Sequence, residues 1–228
     1  MTAVAGFVPF TSIDYPEHLA AVVFFKGCPL RCPFCHNPAL QVADNQGTTT
    51  WESVIEFLNN RRGRLDGVVL SGGEPLMQPE ILQYIQQIKQ LGFLVAIHTS
   101  GVYPEKLKEV LPFTDWVGLD IKAPWEKYDV LCGRPNMASK VQESLKILLD
   151  CGLSFETRTT CDPRFLVPQD IVQIGLELKK LGVAQYALQK YRTFPEDANP
   201  PESSAINAFF TSEILDQVKS IYPNIITR

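Results

Sequence analysis

Two hydrophobic rhythms alternate along the chain. Short, nearly unbroken apolar runs, of the kind that suit strands buried on both faces, fall at Ala20–Phe25, Gly67–Leu70, Phe93–Ile97, Trp116–Ile121, Phe155–Thr160 and Ala184–Leu188. Between them, apolar residues recur every three or four positions, as on one face of a helix. Val54, Ile55 and Leu58 form one such stripe, Ile81, Ile85, Ile88 and Leu91 a second, and Ile171, Ile174, Leu178 and Leu181 a third. Thr49-Thr50-Trp51-Glu52 reads as a capping box before the first stripe, and Pro79 suits the opening turn of the second, which Gly92 stops. Further helices are expected from about Asn136 to Cys151, stopped by Gly152, and over Ser203–Ser220.

A regular strand–helix alternation implies a parallel sheet covered by helices. The expected fold is α/β, a partial (β/α)6 TIM-like barrel, and a doubly wound open sheet fits the pattern nearly as well. No low-complexity linker divides the chain, so we expect one domain over 1–228, with a core at about 7–192 and a helical extension at about 203–228. The Pro-rich piece Phe194–Pro201 reads as a surface loop. Polar, Gly-rich or charged clusters follow the carboxyl ends of the expected strands: the cysteines after Phe25, Gly72-Gly73-Glu74, Thr99-Ser100-Gly101, Asp120 with Lys122, Arg158 and Gln189. In barrels and open α/β sheets that edge carries the site, so these clusters are expected to face one cavity.

Composition narrows the function class. The net charge of −4 supplies no overall basic field for nucleic acid or an anionic membrane. No apolar run approaches the roughly 18 residues of a spanning helix, and Met1–Phe10 lacks the pattern of a signal peptide. A cytoplasmic location is expected, where clustered cysteines serve as metal ligands or redox groups more often than as disulfides.

Three of the six cysteines lie in Gly27-Cys28-Pro29-Leu30-Arg31-Cys32-Pro33-Phe34-Cys35-His36-Asn37-Pro38. Thiolates are soft ligands for zinc or iron–sulfur clusters. Structural zinc takes four ligands, often from two separated pairs, and no second pair stands at such spacing here. His36 abuts Cys35, and Cys32-x2-Cys35 alone would be a redox dithiol with Cys28 idle. A four-iron cluster on three cysteines keeps one iron open to a small ligand. Spacing alone leaves cluster, zinc and dithiol all open. Cys132, Cys151 and Cys161 share no spacing and read as free cysteines, and His18, His36 and His98 form no constellation.

Cys28-x3-Cys32-x-Phe34-Cys35 resembles the signature of the radical S-adenosylmethionine (SAM) superfamily, and Gly72-Gly73-Glu74-Pro75 is similar to its Gly-Gly-Glu segment. Within it, Thr11-Ser12-Ile13-Asp14-Tyr15-Pro16, Cys35-His36-Asn37-Pro38 and Leu119-Asp120-Ile121-Lys122 resemble the activases of glycyl radical enzymes, above all those of anaerobic ribonucleoside-triphosphate reductase. The pyruvate formate-lyase activating enzymes are similar, with a different partner. The resemblance implies a [4Fe-4S] cluster on Cys28, Cys32 and Cys35, with S-adenosyl-L-methionine at its open iron. It implies that Phe34 and His36 lie by the adenine, that Gly72, Gly73 and Glu74 meet the methionine amino group, and that Thr99 and Ser100 meet the ribose or methionine. Lys122 and Arg158 are then expected near the SAM carboxylate, Asp120 by a neighbouring cation or the ribose, and Gln189 by the adenosyl group. Pyruvate formate-lyase activating enzyme has histidine in place of Gln189 and, in place of His98, an aspartate tied to a monovalent cation. With no ferredoxin-like insert visible, a flavodoxin or ferredoxin is the expected electron donor. The rivals are a radical SAM enzyme acting on a small molecule and a zinc-stabilised interaction domain.

Overall fold

A computed structural model describes residues 4–35, 37–44, 47, 49–193, 197 and 199–228. Its sheet comprises β1 (Val4–Thr11), β2 (Ala20–Phe25), β3 (Gly67–Gly72), β4 (Leu94–Thr99), β5 (Trp116–Asp120), β6 (Phe155–Cys161), β7 (Tyr186–Lys190) and β8 (Ile226–Thr227). The eight strands lie side by side in chain order. β2 to β8 are parallel and β1 is antiparallel to β2. Sequential order without reversal is barrel topology, because a doubly wound sheet turns back at a switch point. Among the described strands β1 and β8 do not pair with each other, so the barrel is partial.

The helices are α1 (Trp51–Asn59), α2 (Ile81–Gln90), α3 (Pro104–Val110), α4 (Trp125–Cys132), α5 (Met137–Cys151), α6 (Pro168–Leu181), α7 (Ser203–Asn207) and α8 (Ser212–Ile221). Among the described residues, none is long and apolar enough to cross a membrane. The first helix starts one residue later than the expected capping box: Thr50, not Thr49, is the cap, and its hydroxyl accepts from Ser53 N at 3.2 Å. Helix α5 begins after Asn136 and stops at Gly152, whose left-handed φ of 72° a side chain would resist.

Successive side chains on a strand point to opposite faces, and this period sorts the sheet. Ala21, Val23, Phe25, Val68, Leu70, Val95, Ile97, Val117 and Leu119 belong to the large core under the helices. The alternate positions Ala20, Val22, Val69, Ala96 and Trp116 form a second apolar cluster with Tyr15 on the inner face. Continuing the inner period beyond that cluster reaches His98, Asp120, Arg158 and Gln189. The register sets Asp120 opposite Arg158, and Gln189 opposite Thr160. The sheet is apolar low on its inner face and polar at its carboxyl end.

The segment between β1 and β2 closes the apolar end. Tyr15 is buried, with its ring centroid 5.9 Å from that of Trp116 and 4.4 Å from that of His18. His98 Nε2 donates to the Asp14 carbonyl at 2.8 Å, which pins the same segment over β4.

Three features differ from the sequence expectation. Strand β1 carries Gly6 and Pro9 and exposes Val8 and Phe10, so it lacks the buried-strand signature; an edge strand tolerates such residues. Helices α3 and α4 are too short to show a full apolar stripe. The single helix expected over Ser203–Ser220 is two, because Thr211 leaves helical geometry and caps α8 by accepting from Ile214 N.

Replacing Tyr15 by alanine should remove the inner plug and cost about 3 kcal/mol, as for other large buried aromatics. Urea unfolding measures this, and a midpoint unchanged from wild type would show that the plug contributes nothing.

Candidate active site

A cavity of about 280 Å³ opens at the carboxyl ends of the parallel strands. Cys28, Cys32, Phe34 and Cys35 form one wall, and Gly72, Gly73, Thr99, Ser100, Asp120, Lys122, Arg158 and Gln189 line the remainder. Of the residues singled out from sequence, Glu74 does not line it, and His36 lies outside the described residues.

The cysteine loop is shaped mainly by backbone. Gly27 leaves β2 with φ of 95° and donates to Leu40 O at 2.8 Å, while Cys28 N donates to Gln41 O at 3.3 Å. Glu74 N donates to Gly27 O at 2.8 Å, and Arg31 N to Cys132 O at 3.1 Å. The Arg31 guanidinium curls back, its Nη1 donating to Cys28 O at 2.7 Å and Leu30 O at 2.9 Å. The two glycines after β3 are required sterically. A Cβ on Gly72 would sit 2.3 Å from Phe25 N, and one on Gly73 would sit 2.3 Å from Gly27 O. Both approaches are far inside contact distance.

The Glu74 side chain is held by the protein's own donors. Its carboxylate is fully buried. Oε1 accepts from Thr99 Oγ1 at 2.7 Å and Leu76 N at 3.1 Å, and Oε2 from Ser100 Oγ at 2.5 Å and Ser100 N at 2.8 Å. With these donors in place, the carboxylate ties the β3 loop to the end of β4 and has no oxygen turned to the cavity. Burial raises its pKa, and the bonds from Ser100 and Thr99 oppose that rise.

All the cysteines are free thiols. Among the described residues, no three His, Cys, Asp or Glu side chains converge on one point as a single ion requires. Three soft donors spread along one wall fit a polynuclear iron–sulfur cluster better than mononuclear zinc.

The comparisons with known proteins identify the family. The family model described as the radical SAM superfamily matches residues 22–170. The chain belongs to that superfamily, among its glycyl-radical-enzyme activases. It is 34% identical over 209 residues to a Methanocaldococcus jannaschii protein provisionally named a glycyl-radical enzyme activating enzyme, covering 87% of this chain and 83% of that one. The pyruvate formate-lyase-activating enzyme of Staphylococcus aureus is 30% identical over 228 residues, 87% of this chain and 90% of the relative. Streptococcus suis SuiB bound to S-adenosylmethionine shares the fold, with a TM-score of 0.65 at 14% identity over 88% of this chain. The chain spans 47% of the length of SuiB. The superfamily uses a [4Fe-4S] cluster and SAM.

In this radical SAM chain the cavity floor is charged. Arg158 Nε lies 2.7 Å from Asp120 Oδ1, and Lys122 Nζ lies 3.3 Å from Asp120 Oδ2. Strand β5 ends at Asp120, so Lys122 reaches the cavity from the loop beyond it, 5.8 Å from the centroid of Phe34. Burial pushes the Asp120 carboxyl upward, but Arg158 and then Lys122 outweigh it and hold it well below the ordinary range. Burial works against the Lys122 ammonium, and Asp120 and Cys32 keep it firmly charged. Burial pushes the Cys28 thiol up to about 12, whereas the neighbouring Cys132 thiol lowers the pKa of Cys32.

Sequence reasoning missed Cys132, which α4 brings against Cys32 from far along the chain, so no spacing could reveal it. It also missed Ser71, Asn37, Gln41 and Thr160 on the cavity lining. Ser71 and Asn37 adjoin recognised motifs, which was the available signal. Outside the cavity Phe34 packs on Phe165 at 5.7 Å. Arg164 covers Phe165 and Tyr191 and pairs with Asp162 and Asp197 at 2.6 and 2.8 Å.

His98 yields a pH prediction. Burial first, and then Arg158, lower its pKa from 6.5 to about 3. Between those values the unfolded chain binds a proton that the folded chain refuses, so stability rises with pH. The contribution is complete above about 6.5 and is lost as pH falls towards 3. Urea unfolding from pH 4 to 7 should show this slope in wild type and a flatter one in His98→Gln. Equal slopes would exclude a buried neutral histidine.

Proposed function

We propose that the protein is a SAM-dependent activase that installs a glycyl radical on anaerobic ribonucleoside-triphosphate reductase. The observation that carries the reading is a cavity with three cysteine thiols on one wall and the Asp120–Lys122–Arg158 array facing them. Cys28, Cys32 and Cys35 would hold the [4Fe-4S] cluster. When bound, the cluster supplies the electron that cleaves SAM to methionine and a 5′-deoxyadenosyl radical able to take hydrogen from a glycine Cα.

The residues divide the remaining work. Gly72 and Gly73 allow the backbone to approach the ligand closely. Lys122 offers its charge to the SAM carboxylate, while Asp120 holds Lys122 and Arg158 in place. Phe34 gives an aromatic face for the adenine, and the Thr99 and Ser100 oxygens and the Gln189 amide are the polar contacts left to the ribose and adenosyl group. Glu74 acts through Thr99 and Ser100, as a positioning residue. Phe165 and Arg164 brace Phe34 from outside. The electron is supplied by a cytoplasmic flavodoxin or ferredoxin.

The S. aureus relative favours a second reading, in which the partner is pyruvate formate-lyase. Anaerobic reconstitution with iron and sulfide, then dithionite and SAM, should release 5′-deoxyadenosine. Stoichiometric zinc binding without that release would sink the enzyme reading. With each candidate partner present, a doublet glycyl EPR signal identifies the substrate. A signal on pyruvate formate-lyase and none on the reductase would replace the first partner by the second.

Cys32→Ala should lose cluster iron and SAM cleavage together, by more than a hundredfold in product, with iron content and nucleoside release as the readouts. A variant that keeps full cleavage would refute the ligand assignment.

A further inference from the structure

Cys132 is a buried thiol to which the proposed reaction gives no task. It is the last residue of α4 and does not line the cavity. It sits fully buried behind the wall that Cys32 forms, and its side chain meets that of Cys32. The two backbones run together there. Arg31 N donates to Cys132 O at 3.1 Å, and a Cβ on Gly133 would lie 3.4 Å from Arg31 Cβ. Main chain next to both cysteines therefore fixes their approach. A disulfide needs α-carbons about 5.5 to 6 Å apart, the scale at which two hydrogen-bonded backbones run.

The other thiols are placed differently. Cys151 Sγ donates to Leu148 O at 3.2 Å, and Cys161 Sγ to Thr159 O at 3.9 Å, so both turn to carbonyls of their own segments. Cys28 and Cys35 stand with Cys32 along the cavity wall, where among the described residues no three ligating side chains converge. Cys32 is thus open to solutes on its cavity side and backed by a second thiol on its sealed side.

That arrangement pairs a thiol that an oxidant can reach with one that can resolve the product. Hydrogen peroxide entering the cavity meets Cys32 first, converting its thiol to a sulfenic acid and releasing water. The Cys132 sulfur then attacks the sulfenic sulfur. The S–S bond forms, the S–O bond breaks, and the hydroxyl leaves with the Cys132 proton as a second water. Two electrons pass from the two sulfurs to the peroxide. We propose that Cys32 and Cys132 form a reversible disulfide when the cluster-free protein meets peroxide, and that Cys132 thereby shields a cluster ligand from irreversible oxidation. The inference rests on Cys32 being a ligand. With its sulfur on iron, Cys32 is withheld from this chemistry, so the device belongs to the empty protein. A dithiol reductant returns both thiols and with them the capacity to take up iron.

The test uses the full chain, purified without iron, reduced, treated with stoichiometric hydrogen peroxide and alkylated before digestion. Trypsin cuts after Arg31, which puts Cys28 and Cys32 on different peptides, and fragmentation separates Cys32 from Cys35. Mass mapping should find Cys32 joined to Cys132, and the cluster-loaded protein treated alike should lack that link. Dithiothreitol after peroxide should restore iron loading in wild type, whereas Cys132→Ala should recover about threefold less iron, because its sulfenic acid proceeds to the sulfinic acid. Iron loading before oxidation shows that the variant is folded, and the wild-type map decides the pairing even where the variant is not. Cys32 joined to Cys28 or Cys35, no link at Cys132, or equal recovery by a folded variant overturns the proposal. Failure of the ligand reading shows separately, as wild-type protein that takes up no iron before any oxidant is added.

Discussion

A carboxylate sealed from water holds the carboxyl ends of two strands, β3 and β4, together. Leaving the Glu74 side chain buried without donors would cost several kcal/mol, and four donors converge on it from Leu76, Thr99 and Ser100. Those bonds fix the Gly72-Gly73 turn against the end of β4. The Glu74 amide then carries the constraint to Gly27, one residue ahead of the first cysteine. Pulling the end of β4 away leaves buried carboxyl oxygens without their donors. The geometry of the thiol wall relative to Thr99 and Ser100 thus depends on a residue that never faces the cavity.

The floor solves a second electrostatic problem. Arg158, Asp120 and Lys122 form one connected array, in which a single carboxylate serves two cations. The neighbouring imidazole of His98 stays neutral because burial and Arg158 both oppose a further positive charge. That neutral ring donates to the Asp14 carbonyl. The plug under the barrel and the charge at its mouth are consequently joined by one residue, and the apolar and polar halves of the inner face are mechanically continuous.

Much of this was legible in the sequence, for physical reasons. The six central strands announced themselves because each is buried on both faces, and their polar ends marked the active edge before any geometry was known. Strand period alone puts Asp120 and Arg158 on the inner face. Strand β1 escaped because its Gly6, Pro9 and exposed Val8 and Phe10 follow no burial rhythm. Glu74 was recognised, but its bonds to Thr99 and Ser100 were not, since no local pattern says that those hydroxyls turn towards it. Cys132 was invisible as a partner of Cys32, because their approach is purely tertiary.

The backbone bonding of the cysteine loop bears on how the protein acquires its cofactor. Gly27, Cys28, Arg31 and Cys35 each donate a main-chain hydrogen bond to a carbonyl of the protein itself, and the Arg31 guanidinium adds two more. The loop's conformational entropy is therefore surrendered during folding, in the same cooperative event that forms β2 and β3. The entropy of the residues so bonded is not charged again when a group binds beside them. A loop bonded in this way differs from small zinc domains, whose folding waits for the ion.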